Sequence, residues 1–140
     1  MKHLLLSILV FLLAGATHAQ DSITGHWHID TGKTIAAIPS QLKADFDSLT
    51  QEVKDQIINE MVGQEFVFES NGVYQTNTGS ESYSGSWELQ GGAVQITFDQ
   101  GGVFTQSIIS SDETTLVLGI VTDPNSQAFF HELHLQLADQ

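Results

Sequence analysis

The chain has 140 residues and carries four basic residues, all Lys, against 17 Asp and Glu, a formal net charge of −13. An acidic chain without Arg is poorly suited to contact phosphates, so we expect no nucleic-acid partner and attribute the acidity to solubility. It contains no Cys, so no disulfide can form and the hydrophobic core must stabilise the fold unaided.

An apolar run over residues 4–14 follows Lys2 and precedes the small residues Thr17 and Ala19. This order is typical of a secretory signal peptide, and the run is too short to span a bilayer. We therefore predict a signal peptide over residues 1–19 and a single domain over residues 20–140. The mature protein is expected to be exported across the inner membrane, to the periplasm or the medium.

The first predicted strand covers residues 23–29, and its pattern returns at residues 83–89. Both stretches read apolar-x-Gly-x-Trp-x-apolar, with Trp27 and Trp87 on the apolar face. The glycine two positions before each Trp leaves room for the indole or for a crossing backbone, as a strongly coiled sheet requires.

Between the first two predicted strands the hydrophobic period changes. Apolar residues recur at nearly every fourth position over residues 40–62, which predicts a helix that ends at Gly63. Ser48 and Thr50 are capping residue types inside this run, so we predict a break or bend over residues 48–50. We expect this helical insertion to cover one end of the sheet rather than to bind a partner.

The rest of the chain alternates strands and turns. The further predicted strands cover residues 65–70, 73–78, 83–89, 93–98, 103–110, 113–120 and 128–137. Asn71-Gly72 is the strongest short hairpin signal, and the Gly91-Gly92 pair supplies the positive φ that tight hairpin turns need. Eight strands joined by short turns predict an all-β fold with a helical insertion, an antiparallel up-and-down barrel in which the first strand closes against the last. The interior of such a barrel holds side chains or one small ligand.

Several motifs occur in an order that resembles the bacterial lipocalin-like domain family. They are Gly25-His26-Trp27, Phe66-x-Phe68, Asn71-Gly72-x-Tyr74 and Gly85-x-Trp87, with a helical insertion after the first strand. The resemblance covers nearly all of residues 20–140. It implies a small secreted β-barrel from a family whose members are presumed to bind apolar molecules.

Two classes of function fit these features. The first is a non-enzymatic binding protein for a small apolar ligand held inside the barrel. The residues predicted to line that interior are Trp27, Phe66, Phe68, Tyr83, Trp87, Val94, Ile96, Phe98, Leu116 and Leu118. The alternative is a structural or interaction protein whose barrel is filled by the same side chains and whose acidic surface contacts another protein.

Catalytic motifs are weak. No Ser lies in a Gly-x-Ser-x-Gly sequence, and the stretch His131-Glu132-Leu133-His134 resembles a zinc-protease motif one residue short. That motif needs a helix to bring both histidines to one face, whereas a strand points them to opposite sides. We therefore expect no enzymatic activity and no cofactor.

A metal site on the outer wall is a further hypothesis. Closure of the barrel would place the outward faces of the first and last strands side by side, which could gather His26, His28 and His134 with Glu132. Imidazole and carboxylate groups bind Zn²⁺ or Cu²⁺. Solvated surface histidines are the simpler explanation, so no metal is assigned.

Overall fold

The computed structural model describes residues 23–120 and 128–138. Over these residues the chain forms an eight-stranded antiparallel β-barrel with three helices between the first two strands. In chain order the elements are β1 (Gly25–Ile29), α1 (Thr31–Ala36), α2 (Ser40–Asp47), α3 (Gln51–Val62), β2 (Glu65–Phe68), β3 (Val73–Asn77), β4 (Ser82–Gln90), β5 (Ala93–Phe98), β6 (Val103–Ser111), β7 (Thr115–Gly119) and β8 (Glu132–Leu137). The signal peptide predicted over residues 1–19 lies outside the described residues.

The barrel closes in chain order, which confirms the predicted up-and-down topology. Each strand pairs antiparallel with the next, and β1 pairs with β8. At this closure Trp27 lies opposite Leu137 and Ile29 lies opposite Leu135, so the apolar faces of both strands meet inside. A closed barrel leaves no unpaired strand edge.

Glycines occupy the hairpin turns that the sequence predicts. Gly72 has φ +88° between β2 and β3, and Gly91 has φ +60° between β4 and β5. Both values lie in the left-handed region, where a side chain would be strained. The carboxamide of Asn71 also accepts a hydrogen bond of 3.1 Å from the backbone N–H of Val73, which tightens the first of these turns.

Gly25 and Gly85, the glycines two positions before the tryptophans, are each close to a different kind of neighbouring atom. A Cβ atom on Gly25 would lie 2.6 Å from the Cδ1 atom of Leu137 and 3.5 Å from the indole nitrogen of Trp27. A Cβ atom on Gly85 would instead overlap the carbonyl oxygen of Thr97 on β5. The first glycine therefore makes room for side chains, and the second for a crossing backbone.

Both tryptophans belong to the core, as predicted. Trp27 is 1% exposed and Trp87 is 3% exposed. Each indole N–H donates a 2.9 Å hydrogen bond to a backbone carbonyl, that of Ile23 for Trp27 and that of Glu69 for Trp87. Each ring is therefore buried, and its polar N–H group is hydrogen-bonded.

The predicted break in the helical insertion is present between α2 and α3. The Thr50 side chain caps α3 by accepting a hydrogen bond from the backbone N–H of Val53, which is the expected role of a hydroxyl residue at this position. Gly63 ends α3 with φ −79°, so the helix stops without the left-handed conformation common at such glycines.

The helices lie at the end of the barrel where β1 ends and β8 begins, which we call the helical end. Here α1 packs on β8 and α3 packs on β1. Thr34 of α1 is buried, and its hydroxyl accepts a 3.1 Å hydrogen bond from the backbone N–H of His134. The helical insertion thus covers part of one end, as predicted. Of the helices described, none is long and apolar enough to cross a membrane.

Candidate functional site

Most of the residues predicted to line a ligand site fill the barrel instead. Seven of the ten are at most 3% exposed: Trp27, Phe68, Trp87, Val94, Ile96, Leu116 and Leu118. They belong to one contiguous cluster of buried side chains. Because solvent-sized space beside a residue would register as exposed surface, the centre of the barrel is packed at these seven positions.

The other three predicted residues, Phe66, Tyr83 and Phe98, lie near the helical end and are only partly buried. Phe98 is the last residue of β5 and contacts the ring of Tyr83 edge to face, with ring centroids 6.4 Å apart and planes at 73°. It contacts Tyr74 in the same way at 6.0 Å. Phe66 packs against the buried cluster.

A cleft of about 320 Å³ opens beside these rings and is lined by Tyr83, Phe98, Gln100 and Gly101. We call it the mouth cleft. Tyr83 lies at the start of β4, and Phe98 lies at the end of β5. The other two residues lie in the turn between β5 and β6. Gly101 has φ +101°, a conformation that glycine adopts without strain. The cleft therefore combines two aromatic walls with one carboxamide.

Tyr83 adds a hydroxyl group to the polar groups of this cleft. Its hydroxyl donates a hydrogen bond to the carboxylate of Glu81. That bond, together with the negative charge of Glu81, raises the pKa of Tyr83 above its ordinary value. The shift lies away from physiological pH, so the phenol is neutral there like an ordinary tyrosine and its ring presents an uncharged face to the cleft.

An aromatic residue of β6 is exposed on the same side of the barrel. Phe104 lies opposite Ile96 in the register, which places it on the interior face, yet it is 42% exposed. Interior-facing aromatic side chains on β4, β5 and β6 are thus partly accessible near the helical end, while α1 and α3 pack on β8 and β1.

Two other hollows are more polar. One of about 780 Å³ lies between α3 and the connection from β3 to β4, and its lining includes Glu52, Asp55 and Glu60. Another of about 220 Å³ lies on the outer wall and includes His26 and Glu65. Small-molecule sites are mostly apolar with a few placed polar groups, so the mouth cleft is a better candidate than either of these hollows.

The hypothetical histidine patch does not form, because its imidazoles contact different carboxylates. His28 lies opposite Gln136, two residues from His134 on β8, but its ring lies beside Glu65. The ring of His134 instead contacts the carboxylate of Glu132 at 3.0 Å. Within residues 23–120 and 128–138, no three His, Asp or Glu side chains are grouped so as to hold a metal ion.

His26 and His28 have a partner that the sequence did not reveal. The Nε2 atom of His26 lies 3.3 Å from one carboxylate oxygen of Glu65, and the Nδ1 atom of His28 lies 3.9 Å from the other. Glu65 begins β2 and lies opposite His28. This contact depends on the register between β1 and β2, which no local motif indicates.

No family model matches this chain, and no curated protein matches it. Among solved structures, the crystal structure of a DUF4847 family protein from Bacteroides vulgatus is similar, with a TM-score of 0.50 and 12% identity. The match covers 85% of this chain and 96% of that chain. At such low identity the likeness shows the fold alone, a β-barrel common to both proteins.

Proposed function

We propose that this protein is an exported, lipocalin-like binding protein that holds one small apolar molecule in the mouth cleft and catalyses no reaction. The observation that carries the proposal is the pair of partly exposed rings, Tyr83 and Phe98, beside a cleft of about 320 Å³. The ligand is assigned to the mouth rather than to the barrel centre because the centre is packed.

The size of the cleft limits the ligand and its affinity. Its volume is at the lower end of the range for small-molecule sites, roughly 300 to 1,000 Å³, so a single ring with a short chain fits. Burial of roughly 200 Å² of apolar surface at about 25 cal/mol per Å² yields about 5 kcal/mol. That free energy corresponds to a Kd on the order of 0.1 to 1 mM.

An NMR titration of ¹⁵N-labelled protein with 4-propylphenol, a single ring with a short chain, tests the proposal. Gln100→Trp places an indole over the cleft, and Gln90→Trp makes the same change on an exposed residue at the other end of the barrel. We expect saturable binding by the wild type, at least roughly tenfold weaker binding by Gln100→Trp and unchanged binding by Gln90→Trp. Equal binding by all three proteins, or none by the wild type, would contradict the proposal.

Export is part of this proposal and has its own test. We expect the mature protein, recovered from the extracytoplasmic fraction of its host, to begin at Gln20. Recovery of the full chain from the cytoplasm would contradict export. It would not affect the ligand proposal, which the titration tests separately.

The packed interior also favours the alternative function, an interaction protein with an acidic contact surface. Exposed apolar side chains on β6 support it, since Val103 is 59% exposed and Ile109 is 51% exposed. This function predicts no saturable binding of 4-propylphenol. It predicts instead that chemical crosslinking couples the protein to a second exported protein, and that coupling falls at high salt because screening weakens charge contacts.

A further inference from the structure

Positive charge is confined to one part of the fold. Lys33, Lys43 and Lys54 lie one on each helix, and no Lys or Arg follows in the sequence. Lys33 pairs with the carboxylate of Asp30, and Lys54 donates to the backbone carbonyl of Asp47. Strands β2 to β8 therefore carry no Lys or Arg, although most of the 17 acidic residues follow Lys54.

Two of those acidic residues are neighbours of residues that line the mouth cleft, Glu81 by a hydrogen bond and Asp99 by its place in the chain. Glu81 precedes β4 and accepts a hydrogen bond from the Tyr83 hydroxyl. Asp99 lies in the chain between two residues that line the cleft, Phe98 and Gln100. Both acidic residues are exposed, so their carboxylates can accept further hydrogen bonds from a ligand.

The geometry points to an organic cation as the ligand of the mouth cleft. We propose a primary alkylammonium or arylammonium ion whose apolar part lies against Tyr83 and Phe98 and whose charged group faces Glu81. This proposal rests on the proposed function, because it names the class of ligand for the same cleft.

The chemistry of the cleft favours such a cation over neutral and anionic molecules of the same shape. The faces of aromatic rings attract cations, and a nearby carboxylate adds a charge-assisted hydrogen bond. An anionic ligand of equal size would instead lie near the carboxylate of Glu81, with no Lys or Arg on the adjoining strands. Charge complementarity therefore favours a cationic ligand over neutral and anionic ligands that would make the same apolar contacts.

NMR titrations of ¹⁵N-labelled protein with hexylammonium, hexan-1-ol and hexanoate at low ionic strength test the inference. Binding is measured from the amide shifts of Gln100 and Gly101, which line the cleft. We expect hexylammonium to bind about 3- to 30-fold more tightly than hexan-1-ol, and hexanoate to bind most weakly.

Two variants locate the preference. Glu81→Gln should reduce the ratio between hexylammonium and hexan-1-ol to about one. Glu88→Gln, which removes an equal charge from the outer face of β4, should preserve that ratio.

Equal loss of the preference in both variants would assign it to overall charge and overturn the inference. Equal binding of hexylammonium and hexan-1-ol to the wild type would overturn it and leave the proposed function standing. If none of the three compounds shifts these amides, both proposals fail.

Discussion

Replacing Gly85 by Ala tests how closely β4 and β5 approach behind Trp87. The added Cβ would overlap the carbonyl oxygen of Thr97 and lie 3.0 Å from the Cα atom of Phe98, both of them backbone atoms. Backbone cannot rotate away as a side chain can, so one strand must shift. Overpacking of this kind destabilises by roughly 1 to 3 kcal/mol. The lower entropy of the unfolded Ala chain offsets about 0.4 to 1 kcal/mol of that loss.

Equilibrium urea unfolding, followed by tryptophan fluorescence, measures the effect. We expect Gly85→Ala to lower the free energy of unfolding by about 0.5 to 2.5 kcal/mol. Gly92→Ala is the matched control, because a Cβ atom there meets no atom within 4 Å. Its free energy of unfolding should be unchanged or slightly raised. If both variants were as stable as the wild type, the close approach of β5 to Gly85 would be refuted.

Three further predictions concern single side chains. Trp87→Ala should lower the free energy of unfolding by roughly 3 to 5 kcal/mol in urea unfolding, whereas a loss below about 1 kcal/mol would contradict core burial. Glu81→Gln should lower the pKa of Tyr83 toward its ordinary value, measured by phenolate absorbance, because the anionic acceptor is gone; an unchanged titration would refute this. Hydrogen bonds from the following turn depress the pKa of Asp112 from 3.8 to about 2. Its stabilising effect should be complete above pH 3.8 and be lost as the pH falls toward about 2, so the stability difference from Asp112→Ala should shrink over that window.

The hairpins were predictable because they depend on local pattern, and closure of the barrel was predictable from the even strand count and the matched Gly-x-Trp strands. Alternating apolar residues assign each strand two faces, and Asn71-Gly72 and Gly91-Gly92 mark turns that few other sequences allow. The break between α2 and α3 was predictable from Thr50, whose hydroxyl caps α3. Strand count and order then followed from the short connections.

The ends of elements were predicted less well, because side chains outside the alternating pattern decide them. The strand predicted over residues 113–120 begins only at Thr115, since the carboxylate of Asp112 accepts hydrogen bonds from the backbone N–H groups of Thr114 and Thr115 and extends the turn. The strand predicted over residues 128–137 begins at Glu132, and the preceding Phe129 and Phe130 contact Phe46 of α2 instead.

Helix α1 was missed because it is short and its residues have low helix propensity. Its six residues include Gly32 and two Thr, which form helices poorly. The available signal was Asp30, whose side chain accepts a 3.1 Å hydrogen bond from the backbone N–H of Lys33 and caps the helix.

The site could be predicted only in part. Alternation shows which side chains point inward, but whether they leave space depends on how their volumes fit the finished barrel. Tyr83 and Phe98 lie at strand ends, so their exposure depends on where the helices pack. The sequence therefore identifies both rings as inward-facing without distinguishing them from the buried Trp27.

The proposed ligand lies at the mouth cleft and not in the barrel centre. Isotope-filtered NOE spectra of labelled protein with unlabelled 4-propylphenol distinguish the two positions, because they report which protons lie within about 5 Å of the ligand. We expect NOEs from this ligand to the ring protons of Tyr83 and Phe98. NOEs to the methyl groups of Val94 and Leu116, with none to these rings, would place the ligand in the centre and contradict the proposed function.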